Sequence, residues 1–137
     1  MKNPQQRRAE RGMTLIEIMV VVIIIGLVGT AVAVNVFGNL AEAKVSTAKS
    51  DIAKISDGVD TYKVLRGHFP TTEQGLNVLI QEKILKANKD GKLQDPWGKE
   101  YVYLCPGQAH PDSYDVKSYG ADGAPGGDKE NADLINN

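Results

Sequence analysis

The sequence predicts an α+β protein: a long N-terminal α-helix, membrane-spanning in its first half, packed on a small antiparallel β-sheet head. Three observations predict it. Ile18 to Gly38 is a run of 21 residues without a charge, about 31 Å as a helix and close to the hydrocarbon thickness of a bilayer. Val45, Ala48, Ile52, Ile55, Val59, Tyr62 and Leu65 then recur at spacings of three and four, one apolar helix face, with no proline between Met13 and Phe69. Beyond Gly67 the pattern breaks into short segments separated by turn signals such as Asp90-Gly91, Asp95-Pro96-Trp97-Gly98 and Pro106-Gly107.

Taken in order, residues 1–12 form a short leader. It carries Lys2, Arg7, Arg8 and Arg11 against Glu10, so the remainder of this 137-residue chain of net charge −1 is acidic. A basic leader before an apolar helix suits the cytoplasmic side of a membrane, and the acidic remainder argues against nucleic acid as a partner. Residues 13–38 form the hydrophobic helix. Gly26, Gly29, Ala31 and Ala33 within it permit close helix approach. Residues 39–66 continue it as an amphipathic helix, about 50 residues in all, with Gly67 as its C-cap.

Residues 67–137 form the head, too small to bury a generous core of its own. Pro70 enforces an extended entry. Thr71 or Thr72 caps a second helix running to about Lys83, burying Leu76, Leu79 and Ile80. Tyr101–Leu104 and Ser113–Tyr119 read as strands of a two- or three-stranded sheet. Trp97, Tyr62 and Phe69 read as core. The single cysteine, Cys105, forbids an intramolecular disulfide and reads as a half-buried strand residue. No phosphate loop, His/Cys metal cluster or nucleophile with an arranged base appears, so no enzyme is predicted.

Chemistry gathers at two places. At the first, Glu17 is the one carboxylate at the mouth of the apolar helix, where an ionisable group is costly without a partner. Cleavage after Gly12 would give Met13 a free ammonium four residues from Glu17, and that ammonium, on the same or a neighbouring subunit, would neutralise it. At the second, Tyr119 to Asp133 is Gly-rich and acidic with no apolar periodicity. Composition leaves two readings open there. One is a solvated loop or frayed tail. The other is a site for a hard cation such as calcium, which takes six to eight oxygens from carboxylates and carbonyls. An EF-hand is excluded by the spacing.

Gly12-Met13-Thr14-Leu15-Ile16-Glu17 resembles the cleavage region of the type IV pilin superfamily. The resemblance implies that a prepilin peptidase cuts between Gly12 and Met13 and methylates the new N-terminus, and that Glu17 directs assembly. Met13 departs from the usual phenylalanine. Val34 stands where the superfamily often has a proline, so a proline-specific kink is not implied, although Gly29 and Gly38 still permit softening. An ordinary secretory signal is the rival, since Ala31-Val32-Ala33 imitates its cleavage site. Glu17 before the apolar run, Gly12 at the charge boundary and helical patterning well past Ala33 weigh against it.

PTTEQGL (70–76), DPWG (95–98), YLCPGQ (103–108) and SYGADGAPGG (118–127) are more specific. Together they resemble the major pseudopilins of type II secretion systems from Gly12 to Asp133. The resemblance implies a type IV pilin-like fold and a structural, non-enzymatic subunit. Such a subunit sits in the bacterial inner membrane as a single-pass protein, leader cytoplasmic and head periplasmic. It then polymerises into a periplasmic pseudopilus that drives folded proteins across the outer membrane. Implied partners are copies of the same chain, minor pseudopilins, the inner-membrane assembly platform and prepilin peptidase. The implied cofactor is calcium, held by the Asp122 and Asp133 side chains and the Tyr119 and Ala124 carbonyls, with Asp128 as a further ligand. Alternatives are a type IV pilus subunit or minor pseudopilin, and a membrane-tethered calcium-binding adaptor that does not polymerise. Type IVa pilins usually close their C-terminal region with a disulfide, which a chain with one cysteine lacks.

Overall fold

The computed structural model describes residues 12–137. The basic leader therefore lies outside the described residues except for Gly12. Helix α1 spans Leu15–Arg66, 52 residues. It starts at a reciprocal cap. The Glu17 amide donates to Thr14 Oγ1 at 3.3 Å, and the Thr14 amide donates to Glu17 Oε2 at 3.4 Å, the Thr-x-x-Glu box that satisfies amides left over at a helix start. It stops at Gly67, whose φ of 81° is left-handed and whose amide donates to the Lys63 carbonyl at 2.7 Å.

The chain divides after Gly38 into two compact units. In the first, the apolar side chains face outward: Leu15, Ile16, Ile23 and Leu27 are 66–80% exposed. A helix this long and apolar meets the length and composition needed to cross a membrane.

The second unit is the head. Ala48, Ile52, Ile55, Val59 and Tyr62 on α1 are buried in one cluster with Leu76, Leu79, Tyr101, Tyr103, Tyr114, Val116 and Leu134. The predicted stripe thus packs as read, except at its last member. Leu65 is 67% exposed, because among the described residues no surface covers that face of the helix one turn beyond Tyr62. Close contact also constrains Gly58, where a Cβ would stand 3.0 Å from the Leu85 side chain. The Tyr114 hydroxyl ties the sheet to the helix, donating to the Ser56 carbonyl at 3.1 Å.

The second helix is shorter than the sequence suggests. Helix α2 covers only Asn77–Gln81. Thr71 does begin a turn: its hydroxyl accepts from the Gln74 amide at 3.3 Å, and the Gln74 side-chain carbonyl accepts from the Thr71 amide at 2.8 Å. Gly75 then takes φ 58°, which ends that turn before a helix can propagate, and Lys83 at φ 59° closes α2. Leu76 and Leu79 are buried as predicted, while Ile80 is half-buried.

The sheet has three antiparallel strands in the order β1 (Val102–Leu104), β2 (Asp115–Ser118), β3 (Leu134–Ile135). Val102 pairs with Lys117 and Leu104 with Asp115; Ser118 pairs with Leu134. Along the outer edge of β1, the Tyr101 amide donates to the Leu93 carbonyl at 3.3 Å. Farther along, the Thr72 hydroxyl accepts from the Cys105 amide at 2.9 Å and donates to the Cys105 carbonyl at 3.0 Å. Trp97 and Phe69 are partly buried against the core, Phe69 edge-on to Tyr114.

Candidate functional sites

The helix start is the first site. Gly12, Met13 and Thr14 precede α1 in non-helical conformation and are exposed, so the backbone joining Gly12 to Met13 is open to a protease. The capping box places the Glu17 carboxylate back over the Thr14 amide, beside the residue that precedes it, Met13. Thr14 is a capping partner that reading Glu17 as a charge alone misses. The Thr-x-x-Glu spacing was the available signal.

The second site is the loop that follows β2. Gly120, Gly123, Gly126 and Gly127 all have positive φ, from 61° to 98°, which lets the backbone turn repeatedly without side-chain clashes. The Tyr119 carbonyl accepts from the Gly123 amide at 3.1 Å, and the Ala121 amide reaches across to the Glu130 carbonyl at 2.8 Å. Asp122 Oδ1 accepts from the Ala124 amide at 3.1 Å. Asp133 Oδ2 accepts from the Gly126 amide at 2.9 Å. Two carboxylates far apart in sequence therefore converge on the backbone of residues 124–126. Asp128 stands apart. It precedes a 3-10 turn, Lys129–Asn131, and its carbonyl rather than its side chain accepts from the Asn131 amide, at 2.9 Å.

Among the described residues no group of three or more His, Cys, Asp or Glu side chains gathers in a way that could hold a metal. A site here must draw on carbonyls. Asp122 and Asp133 each spend one oxygen on the loop backbone, and the Tyr119 carbonyl has one recorded donor. That mixed set of carboxylate and carbonyl oxygens fits the chemistry of calcium, which accepts both.

A third cluster was not anticipated. Asp115, fully buried at the start of β2, accepts from the amides of Gln108 (2.7 Å), Ala109 (2.8 Å) and His110 (3.1 Å) and faces His110 Nδ1 at 2.9 Å. The Lys117 ammonium stands 3.4 Å away. Burial is the largest single influence and opposes ionisation. The amides, the His110 ring and Lys117 together outweigh it and hold the carboxyl down at about 2. This carboxylate folds the 107–110 turn onto the sheet, which is a structural role.

A capped, outward-apolar N-terminal helix carrying a small sheet-based head defines a membrane-anchored, pilin-like assembly subunit. Comparison with known proteins narrows this. The family described as type II secretion system (T2SS), protein G, matches residues 35–137, and the prokaryotic N-terminal methylation motif matches residues 7–33. The type II secretion system core protein G of Pseudomonas aeruginosa is 43% identical, over 96% of this chain and 97% of that protein. Its Escherichia coli K12 counterpart is 40% identical over 85% and 86%. Among solved structures, the major pseudopilin from the type 2 secretion system of enterohaemorrhagic Escherichia coli superposes with a TM-score of 0.54 at 34% identity, covering 74% of this chain and 93% of that one.

The chain belongs to the type II secretion system core protein G family, the major pseudopilins. It is a non-catalytic structural subunit that polymerises into the pseudopilus for protein export, anchored in the inner membrane with its head in the periplasm.

Proposed function

We propose that the chain matures by cleavage between Gly12 and Met13 with methylation of the new amine, and that Glu17 then pairs with the Met13 ammonium of a neighbouring copy during assembly. The observation that carries this reading is the capping box, which holds the Glu17 carboxylate at the helix mouth next to Met13. Prepilin peptidase makes the cut. Minor pseudopilins and the inner-membrane assembly platform are the partners in fibre growth. The intact mass of protein purified from its own membrane tests the first step. It is expected to fit a chain beginning at Met13 plus one methyl group. An uncut Met1, or a start at Val34, would remove the reading.

Calcium belongs to the same proposal. Asp122 and Asp133 would supply carboxylate oxygens and Tyr119 and Ala124 carbonyls, with Asp128 a further candidate beyond the convergent set. When bound, the ion supplies charge neutralisation to an acidic loop and couples it to β3, which begins directly after Asp133. The support is the convergence of two carboxylates on residues 124–126. At free calcium about 100 times the dissociation constant, such binding stabilises by about 2.7 kcal/mol, roughly 10 °C in melting temperature for a head of this size. Trp97, the single tryptophan and half-buried in the head, reports the transition. Chelation is expected to lower the melting temperature of wild type, with Asp122→Ala and Asp133→Ala already lowered and insensitive to it. Identical melting of wild type with chelator and with millimolar calcium refutes the calcium assignment.

A further inference from the structure

The loop after β2 already holds a cation, and that cation is a side chain of the protein. Lys99 Nζ donates to the Ala121 carbonyl at 2.8 Å and lies 3.4 Å from the Gly120 carbonyl. It reaches there from the turn at residues 95–98, more than twenty positions earlier in sequence. Asp95, itself buried, fixes that turn: Oδ1 accepts from the amides of Trp97 (3.1 Å) and Lys99 (2.9 Å). The Asp95 amide donates to the Lys99 carbonyl at 2.7 Å, so Lys99 is held by its backbone on both sides. The other oxygen of Asp95 accepts from Ser118 Oγ at 2.6 Å, and Ser118 Oγ accepts from the Gly120 amide at 3.3 Å. The turn therefore grips the root of the loop twice, through Asp95 to Ser118 and through Lys99 to residues 120–121. Gly123 completes the seat. Its Cα faces the Lys99 ammonium so closely that a Cβ there would collide with Nζ.

We infer that Lys99 is a positioning residue for the C-terminal loop, a tethered cation that keeps residues 119–124 folded before and without any metal. A positive charge hydrogen-bonded to carbonyls is a strong, charge-assisted contact, and half-burial of Lys99 spares it much of the screening that an exposed lysine suffers. The loop is then divided. The ammonium takes the Gly120 and Ala121 carbonyls, and the Tyr119 and Ala124 carbonyls with the Asp122 and Asp133 carboxylates are left for calcium. Only the calcium arm of this inference rests on the preceding proposal.

The test is amide hydrogen exchange on the full chain in detergent, in excess chelator and in millimolar calcium. In chelator, Lys99→Met is expected to exchange the 119–124 segment at least tenfold faster than wild type, while segments 102–104 and 115–118 exchange as before. Lys99→Arg, which keeps a cation of similar reach, is expected to retain protection. Lys99→Gln, which keeps a donor without the charge, is expected to lose it. Millimolar calcium is expected to restore most of the protection in Lys99→Met. Equal exchange of wild type and Lys99→Met in chelator overturns the inference. So does equal exchange of the Arg and Gln variants, a comparison that holds even if the Met variant unfolds. If calcium changes exchange in no variant, the calcium reading fails, while the chelator comparison still decides the role of Lys99.

Discussion

Glu17→Ala is expected to reach the membrane at the wild-type level and to build at least tenfold fewer fibres. Removing the carboxylate eases insertion, because an acidic side chain costs about 3 kcal/mol at the centre of a membrane helix and less at its mouth. Two contributions are lost in exchange. One is the capping contact with Thr14, worth about 1 kcal/mol. The other is the proposed pairing with the Met13 ammonium of a neighbour. An ammonium left unpaired in an apolar helix bundle costs several kcal/mol, so the pairing decides the outcome. Two companion variants separate the contributions. Glu17→Gln keeps an acceptor for the Thr14 amide without the charge, and Thr14→Ala removes the reciprocal hydroxyl contact but leaves the carboxylate. The pairing argument orders fibre yield as wild type, Thr14→Ala, then Glu17→Gln with Glu17→Ala. Fibres at the wild-type level from Glu17→Ala, counted by negative-stain microscopy, exclude the carboxylate as an assembly group.

Asp115→Ala is expected to destabilise the head by about 3–5 kcal/mol, the usual cost of leaving buried partners of a charge without it. Three amides, the His110 ring and the Lys117 ammonium would all face a methyl group. For a domain of this size that lowers the melting temperature by more than 10 °C. The same carboxylate makes stability pH-dependent. Its pKa in the folded state, about 2, lies below the ordinary aspartate value of 3.8. The stabilisation is therefore present above pH 4 and lost as the pH falls through 2, about 2 kcal/mol in total. Urea denaturation of wild type and Asp115→Asn between pH 5 and pH 2 reads this out. The gap between the two proteins is expected to narrow as the pH falls. A gap independent of pH would mean that the charge of Asp115 contributes nothing beyond its shape.

The sequence carried the long-range plan of this protein better than its short-range detail. Helix α1 was legible because several signals agree over its length: an uncharged run, a three-and-four apolar period, no proline, and Gly67 where it stops. Local signals without such repetition misled. Thr71-Thr72-Glu73-Gln74 has the composition of a helix start, and it does make one turn, but Gly75 adopts a left-handed conformation that no residue before it announces. Strand β3 is two residues long and follows a polar run, too short for alternation to register. Leu65 continues the helical period and yet is exposed, because periodicity places a residue on a face and cannot say where the partner surface ends.

The proposed site positions divide in the same way. Gly12, Met13 and Glu17 are recognisable because their chemistry is anomalous at a membrane boundary. Asp122 and Asp133 are readable as acids in a Gly-rich stretch, although their convergence on residues 124–126 emerges only from the fold. Asp115 looked like any charged residue at a strand edge. Lys99 gave no signal, since its contacts lie more than twenty residues away.

The Thr72 hydroxyl bears on how crowded copies of this head avoid fusing. A strand at the margin of a sheet offers unpaired amides and carbonyls, a template onto which another chain adds its own strand. On the outer margin of β1 the Cys105 amide and carbonyl are both consumed by one threonine side chain, and the Tyr101 amide by Leu93. Neighbouring heads held at fibre spacing thus meet a margin already closed at both ends. Strand exchange between subunits of a fibre finds both ends of that margin occupied.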